Sequence, residues 1–323
     1  MWGRDSVFSS LRHRNFRIFY IGTTISGIGT WTHRIAQDWL VLELTNSAQA
    51  LGVVVGAQFL PGFFFSLFGG SLADRVDHRR ALMVCNASGA LIALLLGILV
   101  LTHHSNIWNI TLSAFLLGTT TALDGPIRQS YYIILVDEKD LPNALSLNSA
   151  NINIARLIGP VLSGVLIEAY GSGPSFIINS VTYLVVFLTI VQIRPSEYMS
   201  KTIAGSIESK TKIRDGFTYV MRKPELFMSI FAVSFLAMWG QDMQITSAMM
   251  AKDTFAKGAA SFGALGSIFA LGAVIGALSF SRRKSMPTIK TIGFRGVIMS
   301  SAWFLAGISP TYSTFAAALL ICG

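Results

Sequence analysis

The chain has 323 residues, of which 52% are hydrophobic and only 13% are charged, whereas soluble globular domains carry about 25% charged side chains. This composition excludes an ordinary soluble globule, because too little polar surface is present to cover one. A net charge of +9 would suggest a nucleic-acid partner in a soluble protein, but here the basic residues follow the pattern of a membrane protein. We therefore expect a lipid bilayer as the surroundings and no nucleic-acid partner.

Apolar segments of membrane-spanning length dominate the sequence from residue 16 onward. About 20 residues of helix cross the roughly 30 Å of hydrocarbon in a bilayer. Nine segments meet this length, and we predict helices at about 16–44, 50–72, 81–102, 107–126, 144–169, 175–194, 226–248, 260–280 and 289–308. A tenth apolar run begins near Thr311 and reaches Gly323 after too few residues for a full crossing, so we predict an incomplete tenth helix.

The basic residues predict the orientation of these segments. Of the 25 Lys and Arg residues, 21 lie in the N-terminal tail or in the loops that follow even-numbered segments. Loops rich in Lys and Arg remain in the cytoplasm. The N-terminus, which has no suitable signal cleavage site, is therefore predicted to be cytoplasmic in a multi-pass protein.

One long polar stretch divides the chain into two parts. We predict an N-terminal six-helix bundle over 1–195, a basic cytoplasmic linker over 196–225 and a partial second bundle over 226–323. The later part of the linker, Lys210 to Lys223, suits either an amphipathic helix on the anionic inner leaflet or a solvated connection. Two hydrophobic repeats joined in this way are typical of secondary transporters.

The loop between the second and third segments carries the most specific motif. Its sequence, GGSLADRVDHRR, resembles the signature GxxxD(R/K)xGx(R/K)(R/K) of the major facilitator superfamily. The matching residues are Gly70, Asp74, Arg75, Arg79 and Arg80. Charge pairs between the acid and the arginines can form in one transporter conformation and break in the other, so we interpret these five as a gating motif. Asp77 stands where the family usually has glycine.

The resemblance extends over nearly the whole chain and is greatest to bacterial drug and siderophore exporters of the enterobactin-exporter branch. Three stretches carry it: Gly29 to Thr45, Ala122 to Pro160, and Ala260 to Leu278. It implies an all-α major facilitator fold in the bacterial inner membrane, with a complete first bundle and an incomplete second one. It also implies proton-coupled efflux of a hydrophobic drug-like or siderophore-like small molecule by alternating access. In this family Asp74 would lock against an eleventh helix, which the chain does not reach.

The fifth segment contains small residues that resemble an antiporter element, GPxxGG. Gly159, Pro160 and Gly164 match it, while Ser163 replaces one glycine. Small residues let membrane helices approach closely, so these three are predicted to pack helices. Antiporters of the family often carry an arginine four residues before a glycine of the fourth segment, but here Ala114 precedes Gly118.

Ionisable side chains inside membrane segments are costly and mark candidate sites. Arg34 and Asp38 lie one turn apart on the first segment and can pair, either as a proton site or as an ion pair at the outer interface. Arg156 should face the bundle interior, where it either binds an anionic substrate group or neutralises a neighbouring helix. Asp242, between Gln241 and Gln244, is the second proton-site candidate.

Other polar and aromatic residues fit less specific roles. Asp124 and Arg128 are predicted at the cytoplasmic end of the fourth segment, where an inner-gate salt bridge is favoured over contact with cargo. Trp31, Trp39, Trp239 and Met243 line a cavity or, as we favour, serve as interface anchors and packing.

The sequence offers no support for enzymatic chemistry. It lacks GxxxxGK(S/T) and HExxH motifs, and His103 and His104 have no further ligands at metal-binding spacing. We therefore expect no cofactor and no metal, with protons and a small-molecule substrate as partners. The alternative is a truncated, non-transporting membrane protein, either a remnant or an assembly subunit.

Overall fold

A computed structural model of the protein describes residues 8–73, 76–199, 218–224, 226–228, 230–231, 244–281 and 289–323. These residues form helices joined by short turns, which confirms the predicted all-α membrane fold. The long helices are α1 (Arg14–Thr45), α2 (Ala48–Ala73), α3 (His78–Leu101), α4 (Ile107–Leu135), α5 (Leu141–Tyr170) and α6 (Gly173–Gln192), then α7 (Ala259–Ser281), α8 (Ile289–Gly307) and α9 (Tyr312–Cys322).

Five of the described helical segments are long and apolar enough to cross a membrane by composition alone. They are Ala48–Phe65, His78–Leu101, Glu138–Tyr170, Gly173–Gln192 and Ala259–Leu278. Helices α1 and α4, with 32 and 29 residues, are also long enough but carry many polar side chains. Several of those side chains, among them Thr23, Ser26 and Thr121, line the cavity described below, and they lower the hydropathy of these two helices.

Most predicted segments agree with the observed helices to within a few residues, but the fourth does not. We predicted its end near residue 126, and α4 continues through Pro126 to Leu135. A proline removes one backbone hydrogen bond, and membrane helices tolerate this because neighbouring groups satisfy the freed carbonyl. Asp124 and Arg128 therefore lie about two turns or more inside the helix instead of at its end.

Two predictions fall largely outside the described residues. The linker over 196–225 is described only at its two ends, and the segment predicted at 226–248 only at 226–228, 230–231 and from Gln244. A helix is described from Gln244 onward, and this helix ends in a π-helical turn, Met250–Thr254.

Helices α1 to α6 form one bundle with two apolar clusters at its opposite ends. We call the end where α1 and α5 begin the basic end, and the opposite one the far end. The basic-end cluster is built around edge-on contacts between the aromatic rings of Phe16, Phe19, Tyr131 and Tyr132. The far-end cluster joins the outer turns of α1 and α2 to the second part of the chain; its members include Trp39, Leu51, Ala248, Ala251 and Phe262.

Helix α5 is the main contact between the first bundle and the second part of the chain, and it packs on α7. A Cβ built on Gly164 would lie 2.7 Å from the Cα of Ala260. One built on Gly263 would collide with the carbonyl oxygen of Pro160. The two helices thus meet backbone to backbone, which only residues without large side chains allow.

Polar contacts hold the basic end together. The Arg12 and His13 side chains contact a carboxylate oxygen of Asp140 at 2.7 and 2.8 Å, which ties the N-terminal turn to the start of α5. His13, Asp137 and Asp140 lie close enough together to hold a metal ion, but the guanidinium of Arg12 already contacts both carboxylates. These contacts act as a structural ion-pair network.

A polar cavity in the first bundle

A cavity of about 270 Å³ lies between α1, α3, α4, α5 and α6 in the half of the bundle nearer the basic end. Most of the residues that line it are polar, among them Ser26, Asn86, Thr121, Asn148 and Asn151. The far-end cluster closes the bundle on the other side, where the Trp39 and Phe262 rings stack with centroids 6.1 Å apart and the Lys252 ammonium donates to the Leu42 carbonyl at 2.5 Å.

Two guanidinium groups lie over one indole ring at this cavity. The Arg34 Cζ is 5.1 Å and the Arg156 Cζ is 5.2 Å from the centroid of Trp31, within the range of cation–π attraction. Arg34 also lies 5.6 Å from the ring centroid of Phe59. Trp31 lines the cavity, as the first alternative for the aromatic residues expected. Trp39 is 6% exposed and packed in the far-end cluster, as the packing alternative expected.

Arg34 and Asp38 do not form a direct ion pair, although their charges attract each other. Among the ion pairs of the described residues none joins them, because helical side chains lean toward the N-terminus and the Arg34 guanidinium extends back to Trp31. Asp38 is fully buried and instead accepts a hydrogen bond from the side-chain amide of Gln244. Its other carboxylate oxygen has no hydrogen-bond partner among the described residues.

The acid that is paired inside the cavity is Asp124. Its carboxylate lies 2.5 Å from the guanidinium of Arg128, and Asn86 donates to it at 3.4 Å. Both charged side chains are shielded, at 13% and 23% exposure, and both line the cavity. The predicted salt bridge therefore forms in the cavity wall and not at the cytoplasmic end of α4.

A small side pocket that the sequence did not reveal adjoins the cavity. Thr30, Arg34, Thr121 and Tyr183 line both spaces. Beyond them, the wall of the side pocket contains fully buried or nearly fully buried polar side chains of His33, Gln37, Gln58 and Asn179. The presence of His33 within a predicted membrane segment was the one sequence signal for this pocket. The sequence did not indicate that His33 lies near α2 and α6.

Close helix packing creates this side pocket. A Cβ on Gly118 would collide with the backbone carbonyl of Gln58, so α2 and α4 touch there. Ala114, at the position where related antiporters often carry arginine, is 1% exposed and lines the side pocket. The Gln58 side chain accepts from Gln37 at 3.2 Å.

The gating motif is only partly described. Asp74 and Arg75 lie outside the described residues, as does Asp242, and Gly70 lies in the last turn of α2. Arg79 donates to the carbonyl groups of Ile190 and Val191 at the end of α6, at 3.3 and 3.0 Å, while Arg80 is 88% exposed.

Asp77 has a local structural role at the motif. Its carboxylate accepts from the backbone N–H of Arg80 at 2.9 Å and caps the N-terminus of α3, a position that favours aspartate. The residue that departs from the family signature thus stabilises the start of the helix.

The predicted packing residues lie where α5 crosses its neighbours. Gly159 faces α1, where a Cβ would lie 3.0 Å from the Ile28 carbonyl oxygen, and the Thr32 hydroxyl donates to the Gly159 carbonyl at 3.3 Å. Pro160 and Gly164 face α7.

Comparison with known proteins agrees with this architecture. The model of a family in the major facilitator group, described as transmembrane secretion effector, matches residues 5–323. The chain belongs to the major facilitator superfamily. Membership places the chain in a family of membrane transporters.

Curated relatives match this chain over about half of their own length. The staphyloferrin A transporter of Staphylococcus aureus is 29% identical over 173 residues, which are 53% of this chain and 44% of that protein. The multidrug efflux pump Tap of Mycobacterium tuberculosis is 25% identical over 186 residues, 55% of this chain and 43% of that protein. The chain spans about half the length of the curated relatives it matches.

Solved structures show the same fold at low identity. A bacterial homologue of the human lysosomal transporter Spinster, in an inward-facing and occupied conformation, is 13% identical with a TM-score of 0.71, over 96% of this chain and 71% of that one. The nucleoside transporter NupG gives 14% identity and a TM-score of 0.69, over 96% and 79% of the two chains.

Proposed function

We propose that this major facilitator protein is a secondary active exporter that couples proton uptake to the efflux of a small organic molecule by alternating access. The observation that carries the proposal is the position of Asp38. It is a fully buried carboxyl group on α1, and its hydrogen-bond donor, Gln244, comes from the second part of the chain.

This position couples protonation to conformation. An ionised carboxylate away from water is costly unless it is paired, and Asp38 has no ion-pair partner among the described residues. When the far end opens, the contact with Gln244 separates and water reaches the carboxyl group. Proton uptake at Asp38 then favours closure and resets the carrier, with Asp242 as the second candidate acid.

The closed far end and the cavity near the basic end support an inward-facing state of such a cycle. With the basic end in the cytoplasm, as the positive-inside rule indicates, cargo enters the cavity from the cytoplasm of a bacterial cell. The relatives named for a siderophore and for multidrug efflux support hydrophobic drug-like or siderophore-like cargo and outward transport.

The test is export of a fluorescent hydrophobic dye from energised cells that express the full chain, with and without a protonophore. We expect protonophore-sensitive export that loses its pH dependence in Asp38→Asn. Asp253→Asn is the matched control, because it removes an exposed carboxylate at the far end and should export as the wild type does.

Each outcome is informative once membrane insertion has been verified. If Asp38→Asn and Asp253→Asn retain the same pH-dependent export, Asp38 is not the coupling acid. Absence of export from well-inserted wild-type protein, across several dyes, would instead favour a non-transporting protein.

A further inference from the structure

Two positive charges beside the Trp31 ring, one in the cavity wall and one at its edge, have no acid paired with them among the described residues. Arg128 is paired with Asp124, but no carboxylate of the described residues forms an ion pair with Arg34 or Arg156. Both of these guanidinium groups lie over the same Trp31 ring. Two like charges that share one ring repel each other, so an anion bound beside them would relieve this repulsion.

The wall of the side pocket next to Arg34 contains hydrogen-bond donors that have no acceptor among the described residues. The side-chain amide nitrogens of Gln58 and Asn179 have no hydrogen-bond acceptor among the described residues. Gln58 and Asn179 are 8% and 1% exposed. Buried polar groups are usually satisfied, so unsatisfied donors in a connected pocket indicate a place for an acceptor.

The two spaces differ in size, so they fit different parts of a ligand: the side pocket fits a small polar group, and the cavity fits a larger apolar one. The side pocket holds about 20 Å³, which is room for one or two small polar atoms. The cavity of about 270 Å³ beside it has room for a larger group against the Trp31 indole. Guanidinium groups bind carboxylates strongly, through charge-assisted and often paired hydrogen bonds.

We propose that Arg34, Arg156, Trp31 and the side pocket form a binding site for an organic acid. Its carboxylate binds the Arg34 guanidinium and accepts from Gln58 or Asn179, while Arg156 adds positive charge. Its apolar or aromatic body lies against Trp31 in the cavity. This proposal rests on the proposed function in one respect, since it assumes that the cavity binds the cargo. It adds that the cargo carries a carboxylate.

The test compares two probes of equal size on the purified full chain in detergent. Tritiated 1-naphthaleneacetate carries a carboxylate, and 1-naphthaleneacetamide replaces it with a neutral amide. We expect saturable binding in which the acid binds about tenfold or more tightly than the amide, because hydrogen bonds to charged groups contribute more than neutral ones.

Variants of the two arginines test whether the preference for the acid over the amide arises at the proposed site. Arg34→Gln and Arg156→Gln should each weaken acid binding about tenfold or more and weaken amide binding much less, because the neutral amide loses no charge-assisted hydrogen bond. Lys139→Gln is the matched control, since it removes one exposed positive charge outside the cavity and should bind like the wild type. Arg156 is itself exposed on α5, so its variant keeps the test valid if Arg34→Gln fails to fold.

Absence of saturable binding, equal affinity for acid and amide, or unchanged affinity in both arginine variants would overturn the proposal. Binding requires no gradient, so acid-selective binding without export would refute the exporter and keep the site. Export with no acid preference would do the reverse.

Discussion

Replacement of Gly118 by alanine tests whether α2 and α4 meet as closely as the structure shows. A Cβ at this position would collide with the Gln58 carbonyl carbon and oxygen, and a backbone group cannot rotate out of the way as a side chain can. Overpacking of this kind costs about 1–3 kcal/mol. Gly125→Ala is the matched control on the same helix, because a Cβ there has nothing within 4 Å.

The control cancels the gain that alanine brings to any helix, about 0.5–1 kcal/mol. The difference between the two variants is then the cost of the collision, and in a chain of this size it corresponds to a Tm gap of roughly 1.5–5 °C. The assay is thermal unfolding in detergent, followed by loss of the monodisperse size-exclusion peak at one fixed heating rate. Equal apparent Tm values for Gly118→Ala and Gly125→Ala would refute the close contact.

Two other contacts yield predictions. Asp124→Asn leaves the guanidinium of Arg128 shielded without its partner, so stability should fall by about 3 kcal/mol in the same thermal assay; adding Arg128→Gln should restore part of it, and no recovery would argue against the ion pair. Asp140→Asn removes the acceptor shared by Arg12 and His13, so trypsin should cut after Arg12 about tenfold faster by mass spectrometry. An unchanged rate would mean that other contacts hold the N-terminal turn.

Hydropathy predicted the existence and approximate bounds of the long helices because bilayer thickness fixes their length. The error at α4 has a local cause, since Pro126 is a strong stop signal in water and a weak one in a packed membrane bundle. The gating motif and Asp242 stay predictions, since decisive parts of them lie outside the described residues.

The candidate site was predictable only as a set of residue types. The sequence identified Arg34, Asp38 and Arg156 as ionisable groups in apolar segments, but helical spacing alone suggested the wrong partner for Arg34. Its contacts with Trp31 and Phe59 depend on side-chain direction and on a second helix. The side pocket depends on the approach of α2 to α4 at Gly118, which no pattern along one chain segment encodes.

Trp31 packs close to the place where the first bundle contacts the second part of the chain. Its Cβ rests against Gly159, the residue before Pro160, and Pro160 meets the backbone of α7 at Gly263. Two consecutive residues of α5 therefore separate the indole ring from the place where α5 crosses α7. In the proposed cycle, cargo bound against Trp31 would act next to the contact between the two parts of the chain.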